Sequence, residues 1–350
     1  MVAETLTPET SGIELARTYW TDVVRPVLDR ELPGLPRAAG RLGSGSDVLG
    51  LDDEVSRDHD WGLRLTLLVP EDRVADVDRL LADRLPETYR ELPTRFATTW
   101  DPRVTHKVEV ATASGFARSR TGVDASRDLT PAEWVALTGQ SVLEVTAGPV
   151  FEDGPGEITA VRDRLAWYPR DLWLHVLAAE WRRVGQELYL AGRAGHRGDD
   201  LGSRVIAARV AGSLVRLGFL LERAWPPYPK WSGTLFARLP VAAAVGPALA
   251  AALAATTWPE RDAALGAACD AAHDRQRELG LPALDGPAVT QFYDRPYRGL
   301  RGVPELLADG ITDEAVRALP LEGAVEQWVD GVGVLMEPAR RLAVARQLLA

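Results

Sequence analysis

The most constraining feature of this chain is a run dense in glycine, serine and acids, GRLGSGSDVLGLDDEVSRDHDWG over 40–62, set between a helical pattern and a strand pattern. Before it, Ile13, Leu15, Ala16, Tyr19, Trp20, Val23, Val24 and Val27 recur at helical spacing, which predicts a helix over 11–32 with Pro26 as a kink or stop. After it, Leu65, Leu67 and Val69 alternate as in a strand. A polar, glycine-rich segment between two such elements is either a surface loop or a binding turn, and phosphate-binding turns have distinct residue requirements. A Walker loop needs a lysine after its second glycine, and Gly50 is followed by Leu51 and Asp52. A dinucleotide fingerprint needs a strand before it and a third glycine, whereas the pattern before Gly43 and Gly45 is helical and Val48 takes the third place. Asp60-Trp61-Gly62 imitates a kinase metal triplet, but too little chain precedes it for a nucleotide-binding lobe.

What remains is Gly43-Ser44 followed by Asp58-His59-Asp60 at the predicted head of a strand. On a strand, Asp58 and Asp60 share one face while His59 points away and suits a supporting role. Adjacent carboxylates repel, and a hard divalent cation relieves that repulsion. A third acid, Glu109, stands between Val108 and Val110 in the second predicted strand, Val104 to Ala113. With both valines facing the core, Glu109 faces the other way, toward a metal or toward solvent.

Further along, helical spacing covers Glu71 to Leu85 and, past about residue 150, Arg170 to Gly192, Gly202 to Trp225, Val241 to Thr256, Glu260 to Leu279 and Gly323 to Leu349. Thr130-Pro131 is an N-cap and first-turn pair for a helix through Ala136. Strand signals disappear after 150. The expected fold is therefore α+β, with a small mixed sheet and helices over 1–150 and an all-helical domain over 151–350.

Composition narrows the partners. Fifty acids against 40 basic residues give a net charge of −10, and no basic run offsets it, so nucleic acid is not the expected partner. The single cysteine, Cys269, excludes an internal disulfide, and the scattered histidines give no zinc pattern. Leu239 to Pro259 has no charged residue, but its alanine content and Gly246, Pro240 and Pro247 favour a buried helix over a membrane span. The start, MVAETLTPETSG, has neither a basic end nor an apolar core, and a cytoplasmic location is expected.

The set Gly43, Ser44, Asp58, Asp60 and Glu109 resembles the DNA polymerase beta-like nucleotidyltransferase superfamily. The fuller string GSGSDVLGLDDEVSRDHDWG, with THKVEV and YPKW, resembles a bacterial family known as domain of unknown function 4037, within that superfamily. The order of a catalytic domain and then a helical one is similar to that of antibiotic nucleotidyltransferases. The resemblance implies Mg²⁺, as two ions held by Asp58, Asp60 and Glu109, and ATP or another NTP bound at the turn by Gly43 and Ser44. Ser46 and Asp47 are expected either at the nucleotide or as helix caps. The reaction implied is transfer of a nucleoside monophosphate, AMP foremost, to a hydroxyl of a small-molecule acceptor with release of pyrophosphate. Protein side-chain nucleotidylation and a non-catalytic nucleotide-binding regulatory module are the alternatives.

This chain departs from the pattern in the insertion LGLDDEVSR, whose Asp52, Asp53 and Glu54 either bind a cationic acceptor or cap a helix. In the helical part, Tyr228, Lys230 and Trp231 occupy a proline-rich corner. Lys230 there is either a counter-charge for a triphosphate or a solvated lysine, and Trp231 is expected to pack. Glu180, Asp199 and Asp200 are further candidates for acceptor binding or general base.

Overall fold

A computed structural model describes residues 11–53, 55–57, 60–99 and 101–349, the last two as backbone only. The N-terminal stretch read above for targeting, Glu54, and Asp58 with His59 lie outside the described residues.

The first helix runs as α1, Gly12–Tyr19, through a π turn at Trp20–Val24 into α2, Arg25–Glu31. Pro26 has no N–H to give, and the wider turn, closed by Arg25 N to Trp20 O, carries the helix past it instead of stopping it. Four strands form the sheet: β1 Ala38–Gly40, β2 Leu65–Leu68, β3 Val108–Ala111 and β4 Val150–Asp153, in the order β3-β2-β1-β4. β2 and β3 are parallel, with Thr66 opposite Glu109, and β1 is antiparallel to both β2 and β4. All four residues of β2 are buried, so it is a central strand covered on both faces. The helix of α1 and α2 contributes Leu15, Tyr19, Trp20, Val24 and Leu28 to a core with Leu65, Leu67, Val77, Leu81 and Val108. The connection between the parallel strands holds α3, Val74–Arg84, after a short 3₁₀ turn.

The fold is α+β, as expected, with three departures. β1 precedes the Gly43-Ser44 turn where a helix was expected to do so, and β4 and a hairpin of Val289–Gln291 with Arg298–Leu300 lie beyond residue 150. The predicted C-terminal helix is three short ones, Val325–Trp328, Val332–Leu335 and Pro338–Leu349, because Gly331, Gly333 and Pro338 interrupt it.

The chain divides into two compact units, 1–128 with 141–166, and 129–140 with 167–350. The second unit is built on long helices at 170–196, 200–221 and 258–278, with Trp181, Leu188, Leu214 and Leu265 buried among its apolar residues. The alanine-rich helix, Ala242–Ala254, buries Val245, Leu249 and Ala252. Among the described residues no helix is long and apolar enough to cross a membrane.

Candidate functional site

The Gly43-Ser44 turn leaves β1 in a shape that two features fix. Gly43 and Gly45 have φ of 88° and 139°, a region that disfavours any side chain. A Cβ on Gly45 would also lie 2.2 Å from Asp47 Oδ1 and 2.5 Å from Arg41 Nη2. Those two groups form the second feature. Arg41, 2% exposed, donates from Nε to Asp47 Oδ2 at 2.6 Å and from Nη2 to Oδ1 at 2.8 Å, with further bonds to the carbonyls of Leu42 and Ser44. Asp47, 5% exposed, is thus committed to an internal bidentate pair that braces the turn. Ser46 has no cap bond to the 3₁₀ turn Asp47–Leu49; its hydroxyl donates to Ser56 O at 3.4 Å. Ser44 is exposed at the tip.

The insertion acids hold the local chain. Asp52 Oδ2 accepts the Gly12 N–H at the start of α1, at 2.6 Å, and the Trp61 indole N–H at 3.3 Å. Asp53 accepts from Ser56 N at 2.8 Å.

Asp60 lies in a turn, five residues before β2 begins, so the strand alternation invoked for the acid pair does not reach it. Its carboxylate accepts from Thr99 N at 2.6 Å and Thr99 Oγ1 at 2.8 Å. Glu109 does follow alternation on β3, with Val108 buried and the carboxylate 42% exposed. It receives Arg120 Nη2 at 2.8 and 2.6 Å, from the end of α4, Ala113–Thr121, and the same guanidinium reaches Glu144 at 3.4 Å. Among the described residues no three acidic, histidine or cysteine side chains are grouped to hold a cation. Of the three acids expected to hold a metal, two are among the described residues: Glu109, paired with Arg120, and Asp60, which accepts from Thr99.

Between these groups stands Arg64, immediately before β2. Its Nη2 donates to Ser44 Oγ at 3.3 Å. Burial, then the neighbouring Arg41, lowers its pKa to about 10, against the opposing pull of Asp47, Glu109 and Asp60. One guanidinium thus touches the turn and senses both acids, which puts Ser44, Glu109 and Asp60 in one locality.

In the second unit, Tyr228 N-caps the helix Pro229–Phe236, with its N–H on Gln140 Oε1 at 3.2 Å. Exposed Lys230 places Nζ 4.7 Å from the centre of the Trp231 ring. Asp199 caps the helix Asp200–Leu221 through Gly202 N. Asp200 pairs with Arg204 and Arg261, which hold its carboxyl below the usual range. Glu180 is fully buried against Arg216 and Gln327. These contacts give the three acids structural roles.

Residues 134–232 match the family described as Domain of unknown function (DUF4037). The matched stretch contains Glu180, Asp199, Asp200, Tyr228, Lys230 and Trp231, whereas Gly43, Ser44, Asp58, Asp60 and Glu109 all precede it. A nucleotidyltransferase-like protein from Exiguobacterium sibiricum 255-15 is similar at 13% identity and a TM-score of 0.31, over 73% of this chain and 74% of that one. No curated protein matches the sequence.

Arginines 41, 64 and 120 are the site residues that sequence reasoning missed. The available signal was weak: a cation next to the Gly-Ser turn, one at the head of a strand and one in the helix after the Val-Glu-Val strand.

Proposed function

We propose that the chain is a nucleotidyltransferase that moves a nucleoside monophosphate, AMP from ATP foremost, to a hydroxyl of a small molecule. The single observation that supports this reading is Arg64, which donates to Ser44 Oγ and feels the charges of Glu109 and Asp60. In the reaction the acceptor oxygen bonds to the α-phosphorus, the α–β phosphoanhydride bond breaks and pyrophosphate leaves. The hydroxyl proton is lost to a base. The turn receives the phosphates on Ser44 and backbone N–H groups, and its bracing by Arg41 and Asp47 keeps that geometry in advance of binding. Mg²⁺ on Asp58, Asp60 and Glu109 remains part of the proposal through their order in the sequence, and no step is routed through it here. The net charge of −10 suits a cationic acceptor such as an aminoglycoside.

A second reading, a nucleotide-binding module without turnover, draws on the pairing of Glu109 with Arg120. Labelled ATP, CTP, GTP and UTP with Mg²⁺ and a metabolite extract separate the two. Pyrophosphate and a labelled product are expected from the wild type, and their loss in Asp58→Asn and Asp60→Asn variants that still fold. Tight nucleotide binding with no pyrophosphate release across acceptors favours the second reading.

A further inference from the structure

We infer that the hairpin of the second unit forms a binding site for a small molecule that carries a carboxylate or a phosphate, held side-on by Arg298. A cavity of about 370 Å³, a size that suits a small ligand, has a lining that includes Thr290, Gln291, Arg295, Tyr297 and Arg298 from the hairpin and Asp262 from the helix 258–278. All of these residues belong to the second unit. Arg298 is built into this wall. The buried Asp262 accepts its main-chain N–H on Oδ1 at 3.1 Å and its Nη1 on Oδ2 at 2.6 Å, so both acid oxygens are engaged by the arginine. Its stem crosses the helix at Gly266, where a Cβ would stand 2.5 Å from Cδ and 3.0 Å from Nε. Glycine weakens a helix interior, and here the missing side chain makes room for the arginine.

These contacts use one terminal nitrogen of the guanidinium. Among the described residues Nε and Nη2 of Arg298 donate to no partner, and its side chain is 42% exposed. That edge, Nε with Nη2, is the one by which Arg41 chelates the Asp47 carboxylate. A guanidinium fixed on one side and open on the other is set in advance for two oxygens of one anion. Arg295 brings a second positive charge to the cavity. Its ion pair, with Asp294 at 3.3 Å, joins two exposed side chains and is correspondingly weak. The Thr290 hydroxyl and Gln291 amide supply neutral hydrogen-bonding groups, and the buried Tyr297 ring, 6.0 Å from that of Phe292, gives an apolar wall for the rest of the molecule.

The test is calorimetric titration of the full chain with citrate, succinate and inorganic phosphate at constant ionic strength in chloride. Wild type is expected to bind at least one of them saturably. Arg298→Lys keeps a charge opposite Asp262 and loses the fork, and is expected to weaken that binding by about tenfold or more. Arg295→Gln changes an exposed side chain and is expected to weaken it by about threefold. Circular dichroism and melting temperature check that the variants fold. Tighter binding of the carboxylates than of phosphate supports the site and assigns it a carboxylate, and the reverse order supports it and assigns a phosphate. Because the Ser44 turn is proposed above to receive phosphates, binding that persists unchanged in Arg298→Lys belongs elsewhere and overturns the hairpin site. No saturable binding of any of the three by wild type overturns it as well. If Arg298→Lys fails to fold, unchanged affinity in Arg295→Gln overturns it.

Discussion

The polar groups buried in the second unit and those around the Ser44 turn are of the same chemical kinds, and they are used differently. In the helical unit, Glu180 accepts from Arg216 at 3.3 Å and from Gln327 Nε2 at 2.8 Å, while Gln327 also donates to Val176 O and accepts from Ala324 N. Glu326 accepts the Gly139 N–H at 2.9 Å. The partners there are main-chain groups, the buried Gln327 and the partly exposed Arg216, so the network fixes segments to one another. Around Ser44, Arg41 and Asp47 are fixed in that way, whereas among the described residues Arg64 makes one hydrogen bond, to an exposed hydroxyl, and feels the charges of Asp47, Glu109 and Asp60 without pairing with them. Buried polar groups that satisfy each other specify a scaffold, whereas a partly buried guanidinium that gives one bond to an exposed hydroxyl keeps donors to offer elsewhere.

The comparison is broken most directly at Arg41. Arg41→Ala leaves the Asp47 carboxylate buried without its partner and is expected to cost about 3–5 kcal/mol in urea unfolding. A loss below about 1 kcal/mol would put the turn in the same class as Arg64. Next in size is Glu326→Gln. Burial raises the Glu326 carboxyl from its ordinary 4.5 to about 7. The folded state then holds a proton that the unfolded state has released, so this group's contribution is fully present below about pH 4.5 and lost as pH rises to about 7. The glutamine, which keeps an acceptor for Gly139, should stabilise the protein by about 3 kcal/mol at pH 8 and have little effect at pH 4. A pH-independent difference would remove Glu326 from the network's titration.

Smaller again is Arg120→Gln. Its pair with Glu109 is partly open to solvent, so a stability change under about 1 kcal/mol is expected in thermal unfolding. A larger one would make that pair scaffold. Lys230→Ala should be smallest: unchanged stability, a nucleotide KM raised by about threefold and an unchanged acceptor KM. A variant equal to wild type in both constants places the Tyr228-Trp231 corner outside the site.

The sequence disclosed what depends on local periodicity and capping. The first helix, the strand after the acid run, the outward Glu109 and the helix start at Thr130-Pro131 are all visible as spacing or capping. It hid what depends on short or distant partners. β1 and the 289–300 hairpin have strands of three residues, too few to show alternation. Asp60 sits in a turn because Thr99, 39 residues away, takes its carboxylate. Arg64 was unreadable for the same reason: that Arg41 forms a bidentate pair with Asp47 while Arg64 meets Ser44 is decided by tertiary geometry, which composition and spacing do not encode.

Asp52 gives the acid segment a reporter of its own. The first N–H of the first helix and the Trp61 indole share one of its oxygens. Fraying of that helix and loosening of the loop are therefore one event, and slow hydrogen exchange at Gly12 measures the order of a segment some forty residues downstream. A truncation or fusion that disturbs the start of the helix reaches Asp52 and Trp61 through that oxygen.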